Sequence, residues 1–183
     1  TTNPRHADLF RVTLGDIPEM LVEEGALLTE SAKDAVIAPT NSFGYLDSGL
    51  DGLFAARFGS RLQRSLQENI ACEWAGELPI GEALIVPTGD FALPFLVAAP
   101  ATRLPGSIST EPNMYLSLLS ALRAVDAWND LDEGPRLECV VLPDMCRRLP
   151  GWTAERLAFQ LRSALDTWRE ERARLRADRA RAA

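Results

Sequence analysis

The chain has 183 residues, 46% of them hydrophobic and 25% charged, which fits one soluble globular domain better than two. No apolar run approaches the about 18 residues of a membrane span, and the first residues lack a signal-peptide pattern, so we expect a cytoplasmic protein without a membrane segment. The net charge is −7, and residues 169–183 hold six arginines against three acidic residues, so the more acidic remainder argues against broad nucleic-acid binding.

The first half of the sequence predicts strand, strand and helix. Residues 10–14 alternate like a short strand and end at the turn signal Gly15-Asp16. Residues 34–39 form a short apolar run, which predicts a strand buried on both faces. A polar, glycine-containing loop follows over residues 41–51, and apolar residues at helical spacing predict a helix over residues 52–70.

The second half repeats this alternation. Apolar runs predict strands over residues 83–86, 95–99 and 139–142, with a periodic helix over residues 114–128. A last helix is predicted from Thr153, a possible N-cap, to about Arg169. The alternation indicates an α/β fold with a largely parallel sheet. We expect a single domain over residues 1–168 and a solvated helical extension or tail over residues 169–183.

Several kinds of active site are disfavoured by composition. The chain has one histidine, His6, in an amino-terminal segment that we expect to be frayed, which disfavours a histidine-based triad and a histidine zinc site. It also has a single lysine, Lys33, so a lysine nucleophile or a phosphate-loop lysine has one candidate. The three cysteines form no C-x-x-C pair and are odd in number, which is typical of reduced thiols. Cys146 has no base beside it in sequence, so we interpret it as a packing residue. We therefore predict no metal and no cofactor.

The loop over residues 41–51 is the best candidate for a ligand site. In open α/β sheets, ligands bind beyond the carboxyl ends of the strands. The glycines of this loop permit close backbone approach, and the start of the following helix offers unpaired amides and the positive end of its dipole. Such a loop holds a phosphate or diphosphate without lysine. A plain turn with a capping aspartate explains the same pattern equally well.

Six segments in order resemble the macrodomain family. Residues 34–41 (DAVIAPTN) resemble its strand ending in N-A-A-N, and residues 48–52 (SGLDG) resemble the G-G-V-D-G segment that follows. The resemblance covers about residues 9–167 and is nearest, over residues 41–45, to bacterial macrodomain-like proteins. The other matching segments are the G-D-I turn at residues 15–17, the strand entry at 78–83, the strand closing with proline at 95–100, and residues 140–157.

The resemblance implies a three-layer α/β/α sandwich that binds ADP-ribose or an ADP-ribosylated macromolecule, and many macrodomains hydrolyse ADP-ribosyl linkages. By the family pattern, Asp16 would accept a hydrogen bond from the adenine amino group, with Ile17 beside the ring. Asn41 would hold the distal ribose and Asp51 the attacking water, a task that needs no histidine. The remaining ligand-binding positions implied are Ser48, Gly49, Leu50, Arg147, Arg148, Gly151 and Trp152.

Ordinary structural roles remain open for these residues. Asp16 is also a plausible helix cap, Asn41 a turn former, and Asp51 a charge partner of a helix start. An aromatic such as Trp152 either stacks on a sugar or adenine or covers the edge of the core.

Two loops depart from the family pattern. Asp47 and Ser48 stand where the first loop has glycine, and an acid repels a diphosphate unless its side chain points away. In the second loop Arg148 replaces a glycine and only Gly151 remains. Arg147 and Arg148 have three interpretations: they bind phosphate through their side chains, they block the groove, or they are solvated. A non-catalytic ADP-ribose or nucleotide reader and a scaffold with an occluded groove are therefore alternatives to a hydrolase.

Overall fold

A computed structural model describes residues 1–26, 33–46, 49–105, 111–131, 134–146 and 152–182, without the side chains of residues 49–51, 111, 112 and 182. Four strands and five helices follow one another through these residues. The strands are β1 (Ala35–Asn41), β2 (Leu84–Pro87), β3 (Phe95–Thr102) and β4 (Val140–Val141). The helices are α1 (Pro4–Leu14), α2 (Gly49–Phe58), α3 (Ser60–Trp74), α4 (Glu111–Leu131) and α5 (Ala154–Ala182).

The four strands form one mixed, mostly parallel sheet in the order β2-β3-β1-β4. β1 pairs in parallel with both β3 and β4, whereas β2 pairs with β3 in antiparallel orientation. The Asp34 carboxylate fixes the start of β4, because its Oδ2 accepts from the backbone N–H groups of Glu138 and Cys139 at 2.7 and 2.6 Å. The sequence prediction of an α/β fold with a largely parallel sheet is confirmed.

Both faces of the sheet are buried. Along β1, Val36 and Ala38 belong to one apolar cluster with residues of all five helices, while Ala35 and Ile37 belong to a second cluster with Ala121 of α4. This alternation follows from the strand period of two, with both sides of the pleat covered. The sheet therefore forms the middle layer of an α/β/α arrangement.

The first predicted strand is wrong. Residues 10–14 belong to α1, whose N-cap Asn3 accepts from the backbone of Arg5 and whose first residue is Pro4. The buried residues Ala7, Phe10 and Leu14 recur at helical spacing on one face. Residues 10–14 taken alone alternate like a strand, but the buried residues of the whole segment follow the helical period. Pro4 does not argue against this helix, because proline is tolerated in the first turn.

The remaining helices were predicted with shifted boundaries. The single helix expected over residues 52–70 is two helices, since the chain breaks at Gly59, where φ is +75°. Thr153 is the N-cap of α5, because its Oγ1 accepts from the backbone N–H of Arg156 at 3.3 Å. None of the described helices combines the length and the apolar character needed to cross a membrane.

Polar pairs join α5 to α4 along the second half of α5. Trp168 Nε1 donates to Asp126 at 2.6 Å, and its ring lies 4.6 Å from the guanidinium of Arg172. Ion pairs continue along the two helices, joining Arg123 to Glu171, Arg172 to Asp126 and Arg179 to Asp130. The helix therefore extends through the arginine-rich residues 169–182.

Candidate functional site

Two strand-to-helix connections meet at the carboxyl edge of the sheet. β1 is followed by a loop and α2, and its parallel neighbour β4 is followed by a loop and α5. Because parallel neighbours end at the same edge, the starts of α2 and α5 are brought to that edge together. Each start carries a positive dipole end, and at α5 the N–H of Arg156 is already bonded to Thr153 Oγ1 at 3.3 Å. The arrangement is suited to an anion with two negative groups.

Asn41 organises the loop after β1. It is 2% exposed, and its Oδ1 accepts from the backbone N–H groups of Phe43 and Tyr45 at 3.1 and 3.2 Å. Its Nδ2 donates to the carbonyl oxygen of Tyr45 at 2.7 Å. The turn-forming role of this residue is therefore present in the structure, while its role toward a ligand stays a prediction.

The same loop packs closely against α3. Gly44 has a φ of +67°, and a Cβ built there would lie 3.0 Å from Leu66 Cγ and Ile70 Cδ1. Gln63 Oε1 of α3 accepts from the backbone N–H of Leu46 at 2.9 Å. Only glycine fits both the backbone angle and the space at this position. The described part of the loop is held in one conformation by these contacts.

The connection after β4 is organised by Asp144, which lies three residues beyond the end of that strand. Its Oδ1 accepts from the backbone N–H of Cys146 at 3.1 Å. Its Oδ2 lies 2.8 Å from His6 Nδ1 of α1 and also accepts from the Thr1 hydroxyl. His6 and Asp144 are 138 positions apart in sequence. This connection is therefore tied to the amino-terminal segment.

Asp144 and Cys146 have shifted pKa values in opposite directions. Burial raises the pKa of Asp144, but the hydrogen bonds from Thr1, His6 and Cys146 outweigh burial and hold that pKa below its ordinary value. Burial raises the pKa of the Cys146 thiol to about 12, and the neighbouring carboxylate of Asp144 adds to the shift. The thiol is therefore protonated at neutral pH, which disfavours a nucleophilic role.

Two cavities flank the connection after β4. A cavity of about 640 Å³ lies between the starts of α1 and α5 and is lined by residues 2–6, Leu9, Cys146 and residues 152–155. Another, of about 850 Å³, runs along β4 and is lined in part by residues 138–144 and 19–26. Trp152, at the wall of the first cavity, is 9% exposed and belongs to the main apolar cluster.

Asp16 forms an ion pair with Arg162 of α5. Its Oδ1 accepts from Arg162 Nη1 at 2.6 Å, and this hydrogen bond lowers the pKa of the carboxyl group. Arg162 is two helical turns into α5, about 12 Å along the axis from the helix start. Ile17 is 1% exposed and packs in the main apolar cluster. Asn41 lies at the end of β1 and Trp152 lies just before α5, and the ligand roles expected for Asp16, Ile17, Asn41 and Trp152 stay predictions.

Sequence comparison gives one distant relative. An uncharacterized protein of Aeropyrum pernix is 27% identical to this chain over 146 residues. The matched stretch covers 80% of this chain and 69% of the relative. No protein-family model matches the sequence.

Solved structures decide the fold. The macrodomain of Mycobacterium tuberculosis DarG superposes with a TM-score of 0.61 at 20% identity, over 79% of this chain and 88% of that one. The chain has the macrodomain fold. A mutant of the Oceanobacillus iheyensis macrodomain with ADP-ribose superposes with a TM-score of 0.57 at 16% identity, over 82% of this chain and 90% of that one. The sequence resemblance therefore named the fold correctly.

Several predicted ligand residues lie outside the described part of the chain. Ser48, Arg147, Arg148 and Gly151 are outside it altogether. Gly49, Leu50 and Asp51 form the first turn of α2, but their side chains are not described. The roles expected for these residues stay predictions.

Sequence reasoning missed the part played by His6 and Asp144. The expectation of a frayed segment around His6 is wrong, because His6 lies in α1 beside Asp144 and Cys146. The signal that could have found it is the helix start Asn3-Pro4, which places His6 in the first turn of an ordered helix. The pairing with a residue 138 positions away has no local signal.

Proposed function

We propose that this macrodomain binds ADP-ribose, or an ADP-ribosyl group on a larger molecule, at the carboxyl edge of its sheet. The proposal rests on the topology, in which α2 and α5 follow two adjacent parallel strands and so start near one edge of the sheet. Two such helix starts suit the two phosphates of a diphosphate. The solved structure of the same fold with ADP-ribose supports this choice of ligand.

Backbone groups are the main anion partners in this proposal. The chain has a single lysine and a net charge of −7, so an anion needs local donors that do not depend on the overall charge. Amides at a helix start supply such donors. Arg147 and Arg148, which follow β4 in sequence, add bidentate partners for phosphate oxygens in this arrangement.

We further propose hydrolysis of an ADP-ribosyl linkage, with Asn41 at the distal ribose and Asp51 orienting the attacking water. Asn41 lies at the end of β1, and the hydrogen bonds described for its side chain occupy only one of the two N–H groups on Nδ2. The other N–H is available for a sugar hydroxyl. Asp51 stands in the first turn of α2, next to the proposed diphosphate site.

Calorimetric titration with ADP-ribose tests the binding proposal, with AMP and ADP as comparison ligands. We expect saturable binding that prefers ADP-ribose. Gly49→Glu places a negative charge at the start of α2, and we expect it to weaken binding by about tenfold or more. Ser60→Glu is the matched control, because Ser60 is exposed at the start of α3 and outside the proposed site. No binding at high ligand concentration would instead support an occluded groove.

Turnover of an ADP-ribosylated peptide tests the hydrolytic proposal. We expect Asp51→Ala to lower kcat by about a hundredfold or more while ADP-ribose still binds. Unchanged turnover in that variant would remove Asp51 from the mechanism. Stoichiometric binding without any product would identify a reader of ADP-ribose in place of an enzyme.

A further inference from the structure

We infer that His6, Asp144 and Cys146 form a binding site for one zinc ion or a similar divalent transition-metal ion. His6 Nδ1, a carboxylate oxygen of Asp144 and Cys146 Sγ all lie within 4.8 Å of one another. The inference does not depend on the proposed binding of ADP-ribose. It concerns the side chains that fix the connection after β4 to α1.

The donor set selects the class of metal. Imidazole nitrogen, carboxylate oxygen and thiolate sulfur are the three ligand types that zinc uses in proteins. Magnesium and calcium prefer oxygen ligands alone, so this mixture disfavours both. When the metal binds, the Cys146 thiol releases its proton to solvent and the metal takes the place of that hydrogen on sulfur. The Nδ1–H of His6 that faces Asp144 is also given up to solvent while Nε2 takes up a proton, so that the neutral ring offers its Nδ1 lone pair to the metal.

The three ligands are already held close together. His6 is 19% exposed and Asp144 is 8% exposed, so both donors are partly withdrawn from water. Met145, between the other two ligands in sequence, is fully buried and anchors that segment in the core. His6 packs edge-on against Phe10 of the same helix, with ring centroids 6.3 Å apart. The entropy lost when the metal binds is therefore small.

Charge and access also suit a cation. A neutral histidine, a carboxylate and a thiolate together balance the two positive charges of the ion. His6 and Cys146 line the cavity of about 640 Å³ between the starts of α1 and α5, which leaves space for water or a ligand atom at a fourth position. Three protein ligands and one open position are typical of zinc sites that act on a bound molecule.

Cobalt(II) titration of untagged protein freed of metal by a chelator tests the site. The parent for this experiment carries Cys72→Ser and Cys139→Ser, which remove the two exposed cysteines and leave Cys146 as its single thiol. We expect one cobalt ion per chain, a thiolate-to-cobalt absorption band, and displacement of the band by zinc. Adding Cys146→Ser is expected to abolish the band.

Two further variants of the same parent, His6→Gln and Arg5→Gln, distinguish a specific metal site from adventitious metal binding. We expect His6→Gln to weaken cobalt binding by about tenfold or more, and Arg5→Gln, an exposed neighbour, to leave it unchanged. Zinc is expected to raise the Tm of the parent and not that of His6→Gln, while circular dichroism reports whether each variant is folded. A band that is absent in the folded parent, or unaffected by His6→Gln, would overturn the inference.

Discussion

The connections after β1 and after β4 carry the chain from neighbouring parallel strands to a helix, yet they are stabilised in different ways. The first is organised by its own Asn41, and it also packs on α3 through Gly44 and bonds the end of β3 through the N–H of Ser42, which donates to the carbonyl of Thr102 at 3.0 Å. The second depends on Asp144, whose partner His6 comes from the other end of the chain. One edge of the sheet thus combines a loop organised by its own asparagine with one tied to the amino-terminal segment.

The largest expected effect comes from breaking the first connection with Gly44→Ala. The new Cβ meets Leu66 and Ile70 at 3.0 Å on a backbone with positive φ, so we expect a loss of about 3 kcal/mol in the free energy of unfolding. Gly89→Ala is the matched control, with a φ of +79° and nothing within 4 Å, and should cost about 1 kcal/mol. Equal losses in urea denaturation would show that packing on α3 does not hold this loop.

Asp144→Asn, in the connection after β4, is expected to lower the stability of the protein by an amount that depends on pH. Its folded-state pKa lies below the ordinary value of 3.8, so the carboxylate stabilises the fold above that pH and the contribution disappears as pH falls through the folded pKa. We expect this variant to lose about 1 to 2 kcal/mol of the free energy of unfolding near neutral pH, and the loss should shrink as the pH falls below 3.8. Urea denaturation at several pH values measures the difference.

Asp126→Asn is a control for which the expected pH dependence of stability has the opposite sign. Burial raises the pKa of Asp126, so its folded state binds a proton more tightly than the unfolded chain. The wild-type chain should therefore gain stability relative to this variant as pH falls toward the ordinary value of 3.8. Two variants with the same pH slope would contradict the assignment of Asp144 as the stabilising carboxylate.

The smallest effect on stability is expected for Asp16→Asn, which removes an exposed ion pair with Arg162. We expect little change in Tm. The family pattern predicts weaker binding of ADP-ribose in this variant, because Asp16 would lose its place as the acceptor for adenine. Asp166→Asn is the control, since it removes the other carboxylate paired with Arg162, at 2.8 Å. Unchanged ADP-ribose affinity in Asp16→Asn would exclude the adenine contact.

Local sequence patterns were enough to predict part of the fold. Apolar runs marked β1 and β3 because both strands are buried on both faces, and six segments in order indicated the macrodomain fold that the solved structures confirm. The alternation at residues 10–14 predicted a strand, although Asn3 and Pro4 begin a helix through the same residues. Five residues are too few to separate a period of two from a period of 3.6.

The candidate site likewise contains one residue that local sequence patterns predicted and a cluster that they did not. Asn41 was found from its position at the end of an apolar run, and the structure places it at the end of β1. The cluster of His6, Asp144 and Cys146 has no spacing pattern, because α1 supplies one member and the segment after β4 supplies the other two. The packing of α1 beside α5 brings them together.

The ion pairs between α4 and α5 give the two halves of the long helix different responses to solvent. Up to Trp168, apolar side chains such as Leu157, Leu161 and Leu165 hold α5 in the core, and salt has little effect on such contacts. Beyond that point, α5 is tied mainly by exposed arginine–carboxylate pairs, which dissolved ions screen. Amide hydrogen exchange in the last turns should therefore accelerate as salt is added, while the rest of the helix stays protected.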